Sequence, residues 1–203
     1  MNKRLKATEE RRNLIVSAAI ECFIENGIHQ TGIRDIAAKA NVSLGNMYNH
    51  FSSKDELITE IAFMDGQVLE QFTNAMNSME DPSILIFTFV DNYLDYVSEV
   101  ENAYLTIDII AETLRNPKVA KQFELNKEKL TKALYTTVKR GIVEGTMQEQ
   151  LCIEETVKLL LDIIESLGLR CGLTHKKPSD IARKTLQEMV FKMLFLELRE
   201  AIR

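Results

Sequence analysis

Proline and glycine are scarce: the 203 residues hold 3 Pro and 8 Gly. Little therefore punctuates a helix, and a many-stranded fold with frequent tight turns is not expected. Cysteine is as scarce as proline, at three residues. Cys22, Cys152 and Cys171 are widely spaced and form no CxxC pair. That pattern argues against a disulfide framework or a zinc site and for reduced thiols packed as small hydrophobes. Such thiols fit a cytoplasmic location. The three histidines, His29, His50 and His175, fall in no HExxH or ExxH spacing. A helical-bundle enzyme therefore finds no support in metal-ligand spacing, and no metal, no cofactor and no catalytic residue is expected. Long apolar runs are missing too. Stretches such as Ile84–Val90 and Leu159–Leu161 are far shorter than the roughly 20 residues that span a bilayer. The charged start, MNKRLKATEERRN, leads into no apolar signal region. The expectation is a soluble protein with no membrane partner.

Hydrophobic residues make up 45% of the chain and charged residues 27%, enough for one or two domains with a substantial core. The net charge of −5 argues by itself against a nucleic-acid binder. Its distribution does not. Residues 1–54 carry 8 Lys/Arg against 5 Asp/Glu, or +3, and the remainder carries 17 against 25, or −8. A basic head on an acidic body suits a protein that presents one end to a polyanion, although ordinary fluctuation of surface charge also produces such an imbalance.

The spacing predicts about nine helices and no strand. Residues 1–7 read as a basic arm, followed from about residue 8 by a helix whose apolar stripe is Leu14, Ile15, Ala18, Ala19, Cys22 and Phe23. Gly27 ends it as a C-cap residue. Short helices follow at about Ile33–Ala40, capped by Gly32 or Thr31, and at Leu44–His50, capped by Ser43. Ser52 or Ser53, with Asp55 or Glu56, opens a long fourth helix to about residue 78. Its stripe includes Leu57, Ile58, Ile61, Ala62, Val68, Leu69, Phe72, Ala75, Met76 and Met79. Four more helices are predicted near 82–97, 103–115, 117–144 and 153–172. The last begins after Ser179 and shows Ala182, Leu186, Met189, Val190, Met193, Leu194 and Leu198. The natural boundary lies where the fourth helix starts, which divides the chain into residues 1–54 and 55–203.

The two short helices and their turn, Asn41-Val42-Ser43, read as a helix-turn-helix. Ile36 and Ala37 face inward, Val42 plugs the turn, and Tyr48 and Phe51 bracket the end of the second helix. A helix so short suits a reader that lies in a major groove and shows a few side chains to base edges. The ordered residues also resemble a known family. They comprise Arg12 with Leu14-Ile15, Ala18-Ala19 with Phe23, Gly27, Ile33–Ala37 (IRDIA), Val42–Phe51 (VSLGNMYNHF), and Lys54 with Leu57. Together they look like the N-terminal domain of the TetR family of bacterial regulators. Glu112–Ala120 (ETLRNPKVA) is similar to a segment of members that sense small molecules. Two residues depart from the family pattern: Asn41 stands where glycine is usual, and Gly32 where threonine is usual. Both keep the backbone geometry the turn needs.

The resemblance implies an all-α protein: a three-helix DNA-binding head, residues 1–54, and a helical ligand-binding and dimerisation body, residues 55–203. It implies that Leu44–His50 is the recognition helix, entered through Ser43. Leu44, Gly45, Asn46 and Asn49 would face base edges, with the two amides suited to adenine, Leu44 to a thymine methyl, and Gly45 allowing close approach. Tyr48, His50 and Lys54 would grip phosphates, Arg34 would reach either, and Lys3, Arg4 and Lys6 would reach the minor groove or backbone. The residues themselves leave plainer readings open. Tyr48 and Phe51 serve equally as core aromatics, His50 as a surface residue, and Asn49 as a solvated one.

The last two helices carry more apolar surface than one face buries, which points to an interface. The resemblance implies that they pair with the same helices of a second subunit. A homodimer reads a palindromic operator in double-stranded DNA, with half-sites about one turn (~34 Å) or more apart. The middle helices would enclose a small-molecule effector. Candidates to line its pocket are Phe87, Phe89, Tyr93, Tyr96, Tyr104, Ile107, Ile110, Phe123 and Tyr135, with the acids Asp108 and Glu112 one turn apart and Glu165 within an apolar helix. All of these equally suit ordinary core or surface duty. The function expected is transcription regulation by a repressor that its effector releases. The alternatives are a DNA-binding regulator without a small-molecule ligand and, further off, a helical-bundle enzyme.

Overall fold

The computed structural model describes residues 3–150 and 152–195, and the side chains from residue 6 on. Lys3 and Arg4, expected in the basic arm, and Leu198, expected on the last helix, have side chains outside the described residues. Among the described residues there are nine helices and no strand. These are α1 (Lys3–Asn26), α2 (Ile33–Lys39), α3 (Leu44–His50), α4 (Lys54–Met76), α5 (Pro82–Ser98), α6 (Val100–Thr113), α7 (Pro117–Val143), α8 (Ile153–Leu173) and α9 (Asp180–Leu194). Among them no helix is long and apolar enough to cross a membrane.

Helix boundaries follow local chemistry. Gly27 takes φ 79° and its N–H donates to the Phe23 carbonyl at 2.7 Å, a left-handed stop that suits a residue without Cβ. Asn116 Oδ1 accepts from the Lys118 and Val119 N–H groups at 3.1 and 3.4 Å, and Pro117 occupies the first turn of α7. Ser179 Oγ caps α9 by accepting from Ala182 N–H at 3.2 Å. At α4 two serines share the cap. Ser53 Oγ accepts from Glu56 N–H, and the Glu56 carboxylate takes both the N–H and the hydroxyl of Ser52. The second exchange holds the Glu56 carboxyl below its ordinary pKa.

Three sequence expectations are corrected. Residues 3–7 belong to α1 rather than to an arm without helical structure; Lys, Arg, Leu and Ala all favour helix, and no proline or glycine intervenes. Leu14 is 55% exposed and Val16 is buried in its stead. Each residue turns a helix by about 100°, so the buried arc centred on Ile15, Ala19 and Cys22 leaves Leu14 outside. In the fourth stripe Val68 is 38% exposed, and Met79 lies beyond the end of α4.

The chain forms two compact units. The first comprises residues 1–67 and 104–124, the second residues 68–103 and 125–203, so α4, α6 and α7 each contribute to both. The core of the first unit gathers Ile15, Ala19, Phe23, Ile36, Met47, Phe51, Leu57 and Ile61 with Ile109 of α6 and Val119 of α7. The second unit is built around α5 against α8. Gly168 and Gly172 permit that approach, because a Cβ on them would overlap Val97 and Ala103. Helix α9 is tied to α5 by Gln187, which donates to Asp91 at 2.9 and 3.0 Å, and by the Arg183–Asp95 ion pair.

Candidate nucleic-acid interface

The interface is built from α2, the turn and α3. Asp35 accepts from the Gly32 N–H at 2.8 Å, closing the start of α2. Thr31, the other residue considered for that cap, is buried and donates its hydroxyl to the Cys22 and Gly27 carbonyls instead. Asn41 adopts φ 53°, the left-handed conformation a turn between crossed helices requires. Val42 N–H then donates to Ala37 C=O at 2.9 Å, and Ser43 Oγ accepts from Asn46 N–H at 3.1 Å, which starts α3.

Helix α3 is anchored from below by Met47, which is fully buried, and by Phe51 at its C-cap. Met47 is absent from the residues that pattern alone singles out; its place one turn before Phe51 is the signal for it. With Met47 inward, Leu44, Gly45, Tyr48 and Asn49 are exposed together. These positions are i, i+1, i+4 and i+5, so they share one helical face. Ser43 and Arg34 are exposed, while Asn46 and His50 are half-buried. A Cβ at Gly45 would meet nothing within 4 Å, and its φ is not positive. The fold itself therefore makes no demand for glycine there.

Two cations do work that the sequence did not reveal. Lys54, expected on a phosphate, directs its ammonium to the carbonyls of Ile28 at 2.7 Å and Thr31 at 3.1 Å. Of its three N–H donors, these bonds leave one. Arg12 reaches from α1 to the end of α3. It donates to the His50 carbonyl at 2.9 Å, pairs with Glu60 of α4 at 2.8 Å, and stacks 4.2 Å above the Phe51 ring. The loop between α1 and α2 is also held by Asp108 of α6, which accepts from Ile28 N–H at 2.8 Å, and by Arg115 in the turn after α6, which meets the His29 ring nitrogen at 2.9 Å.

The pocket candidates divide between the units. Tyr104, Asp108, Glu112 and Phe123 belong to the first. There Glu112 is buried and Phe123 packs against the core. Phe87, Tyr93, Tyr96 and Tyr135 belong to the second. Tyr93 and Tyr96 stack at 6.3 Å and share Phe72 as a neighbour at 5.5 Å, whereas Phe87 stacks on Phe195 and Tyr135 lies 5.9 Å from the Lys139 ammonium. Beside the tyrosines, Glu165 accepts from the Tyr93 hydroxyl at 2.9 Å and lies 3.6 Å from Lys127. Burial pushes the Glu165 carboxyl above its ordinary pKa, and Lys127 offsets this only in part.

A capped turn between two short helices, with one apolar anchor and one exposed face, defines a helix-turn-helix DNA-binding protein. Residues 15–61 match the family model described as bacterial regulatory proteins, tetR family. The HTH-type transcriptional regulator UidR of Escherichia coli (strain K12) is 28% identical over 190 residues, covering 91% of this chain and 90% of the relative. The HTH-type transcriptional repressor KstR2 of Rhodococcus jostii (strain RHA1) is 25% identical over 157 residues, 75% of each chain. Among solved structures, Salmonella enterica GusR has a TM-score of 0.77 at 22% identity, covering 91% of this chain and 95% of that one. A regulator from Saccharomonospora viridis in complex with choline has a TM-score of 0.79 at 19% identity, covering 93% of this chain and 100% of that one. Residues 15–61 thus carry the DNA-binding domain of the TetR family of bacterial transcriptional regulators, and the curated relatives that match most of the chain are transcriptional regulators.

Proposed function

We propose that this regulator is a homodimeric repressor that holds a palindromic operator and lets it go when a small molecule binds its helical body. One observation carries the reading. Helices α8 and α9 present an open groove of about 620 Å³ whose apolar lining, Leu159, Ile163, Leu167, Leu186 and Met189, is interspersed with Asp162, Ser166, Arg170 and Thr185, with Leu159 57% and Met189 45% exposed. An exposed face on two adjacent helices with an apolar stripe flanked by polar side chains fits a second copy of the same pair, packed as a four-helix bundle. Pairing also answers the shortness of α3, because one seven-residue helix reads too few bases for specificity and a two-fold pair reads two half-sites.

In this reading residues 1–54 read DNA and residues 55–203 sense and dimerise. Leu44, Gly45, Asn46 and Asn49 face bases, while Arg34, Tyr48, His50 and the remaining donor of Lys54 meet phosphates. The effector binds better to the form whose recognition helices no longer match successive grooves, and DNA is released by that difference in affinity. The regulator of similar fold solved with choline supports a small-molecule site in a body of this kind. The test is Leu159→Glu, followed by light scattering on a sizing column and by mobility shift on the duplex upstream of the protein's own coding sequence. A dimeric parent that binds this duplex selectively, with a monomeric variant that does not, is the expected result. A monomeric parent that holds all duplexes alike overturns the proposal. Release is tested by adding small molecules that raise the melting temperature.

A further inference from the structure

We propose that Arg12 is a positioning residue for DNA recognition: it locks the C-terminal end of α3 to α4 and so fixes the angle at which the exposed face of α3 meets the groove. The inference rests on α3 being the base-reading helix and deepens that reading. Helix α3 has seven residues, far below the length of about 12 at which a helix holds itself together in water. Its N-terminus is secured locally by Ser43. Its C-terminus has no comparable local device. Phe51 N–H satisfies the Met47 carbonyl at 3.0 Å. The carbonyl of His50 is met from another helix, by Arg12 Nη1 at 2.9 Å.

The guanidinium is fixed from three directions at once. Its Nε and Nη2 face the two Glu60 carboxylate oxygens at 3.4 and 2.8 Å, a forked pairing that sets the plane of the group. One face lies over the fully buried Phe51 ring, with 4.2 Å from Cζ to the centroid. The remaining edge points at the carbonyl end of α3, where the helix dipole favours a cation. The Arg12 and Glu60 side chains are each 27% exposed, and a pair that wet contributes little to global stability. What it supplies is orientation. Glu60 lies on α4, the helix that runs on to Met76, so the guanidinium adds a directional polar link between the start of α4 and the end of α3 to the short connection and the apolar core they share. Two charges of opposite sign would not need this geometry if Arg12 served only to attract phosphate; pairing with Glu60 lowers its value for that purpose.

The experiment uses the full chain and the duplex that the parent protein enriches from a randomised pool. Binding is measured over a range of salt on that duplex and on an unrelated one. The expected result for Arg12→Gln and for Glu60→Gln is a loss of about tenfold in affinity for the selected duplex. Binding to the unrelated duplex is retained, and the slope of log K against log salt is unchanged. The double variant falls no further than either single one, as members of one clamp require. Should Arg12→Gln fail to fold, Arg12→Lys keeps the charge, loses the fork, and carries the same expectation. The proposal is overturned if Glu60→Gln tightens or preserves binding. It is equally overturned if Arg12→Gln lowers the salt slope by about one unit and weakens both duplexes alike, which is the signature of a phosphate contact. Asn49→Ala separates this failure from failure of the underlying reading. If Asn49→Ala leaves the selected duplex preferred as strongly as before, α3 is not the reader.

Discussion

Replacing Gly45 by alanine should push stability and DNA affinity in opposite directions. Gly45 lies in the first turn of α3, is exposed, and has open space for 4 Å around the position a Cβ would take. In the free protein the added methyl meets nothing, while the backbone loses unfolded-state freedom, so alanine should stabilise by about 0.5–1 kcal/mol. For a chain of this size 1 kcal/mol corresponds to about 2–4 °C in melting temperature, and a rise of about 1–4 °C is expected by circular dichroism. On DNA the same methyl projects from the face that is proposed to enter the groove. Forcing a methyl into a closely packed contact costs about 1–3 kcal/mol. A dimer presents two copies, so the sum is at least about 2 kcal/mol, a loss of about thirtyfold or more. Fluorescence anisotropy on the selected duplex at fixed salt measures it. A variant that melts higher and binds as tightly as the parent would show that Gly45 is not at the point of closest approach. A variant that melts lower would contradict the open space around it.

Two further perturbations address the two units separately. Asp108→Ala deprives the part-buried Ile28 N–H of its 2.8 Å acceptor, and an orphaned donor costs about 1–3 kcal/mol; the expected signs are a lower melting temperature and faster amide exchange at Ile28, and unchanged exchange there refutes the assignment. Glu165→Gln tests the buried acid of the second unit. Burial raises the folded-state pKa of Glu165 above its ordinary value. The native state therefore binds more protons than the unfolded one between those two values, stability falls as pH rises through that window, and the ionised group costs stability above it. Glutamine keeps an acceptor for the Tyr93 hydroxyl and leaves Lys127 with Asp162 at 2.7 Å. The variant should lose that fall in thermal melts recorded across the acid range, and a variant whose melting temperature follows the parent's pH dependence there rules the burial account out.

How much of this was legible in the sequence depends on the range of the interaction that decides it. Ends of helices were readable because their causes lie within three or four residues. Gly27 takes its positive φ, Ser43 and Ser179 accept from the N–H three residues on, and Asn116-Pro117 opens α7. The inward faces were mostly readable from period, but Leu14 and Val68 were not. An apolar residue at the edge of a stripe is buried or left out by the neighbours that other helices supply. The exposed, apolar Leu159 in α8 is the informative violation. Period marked that helix as apolar nearly all round, which no single face explains and a second copy would.

The destinations of long polar side chains could not be read at all. Lys54 travels to carbonyls 26 and 23 residues away, and Arg12 to a carbonyl 38 and a carboxylate 48 residues away. A cation in a DNA-binding head is naturally assigned to phosphate, since composition gives its charge and not its partner. The structure turns both side chains to holding the helix-turn-helix: Lys54 secures the loop before α2 while keeping its charge and one donor, and Arg12, paired with Glu60, secures the end of α3. Residues 1–54 carry only eight basic side chains against five acidic ones. Each cation committed internally leaves fewer for the polyanion. Lys39 is also engaged, by Glu21 and Glu25 at 3.2 and 2.5 Å. If the head reads DNA as proposed, cations paired with acids inside it, such as Arg12 and Lys39, add little non-specific attraction. The salt dependence of its binding should accordingly be shallower than a count of its lysines and arginines implies.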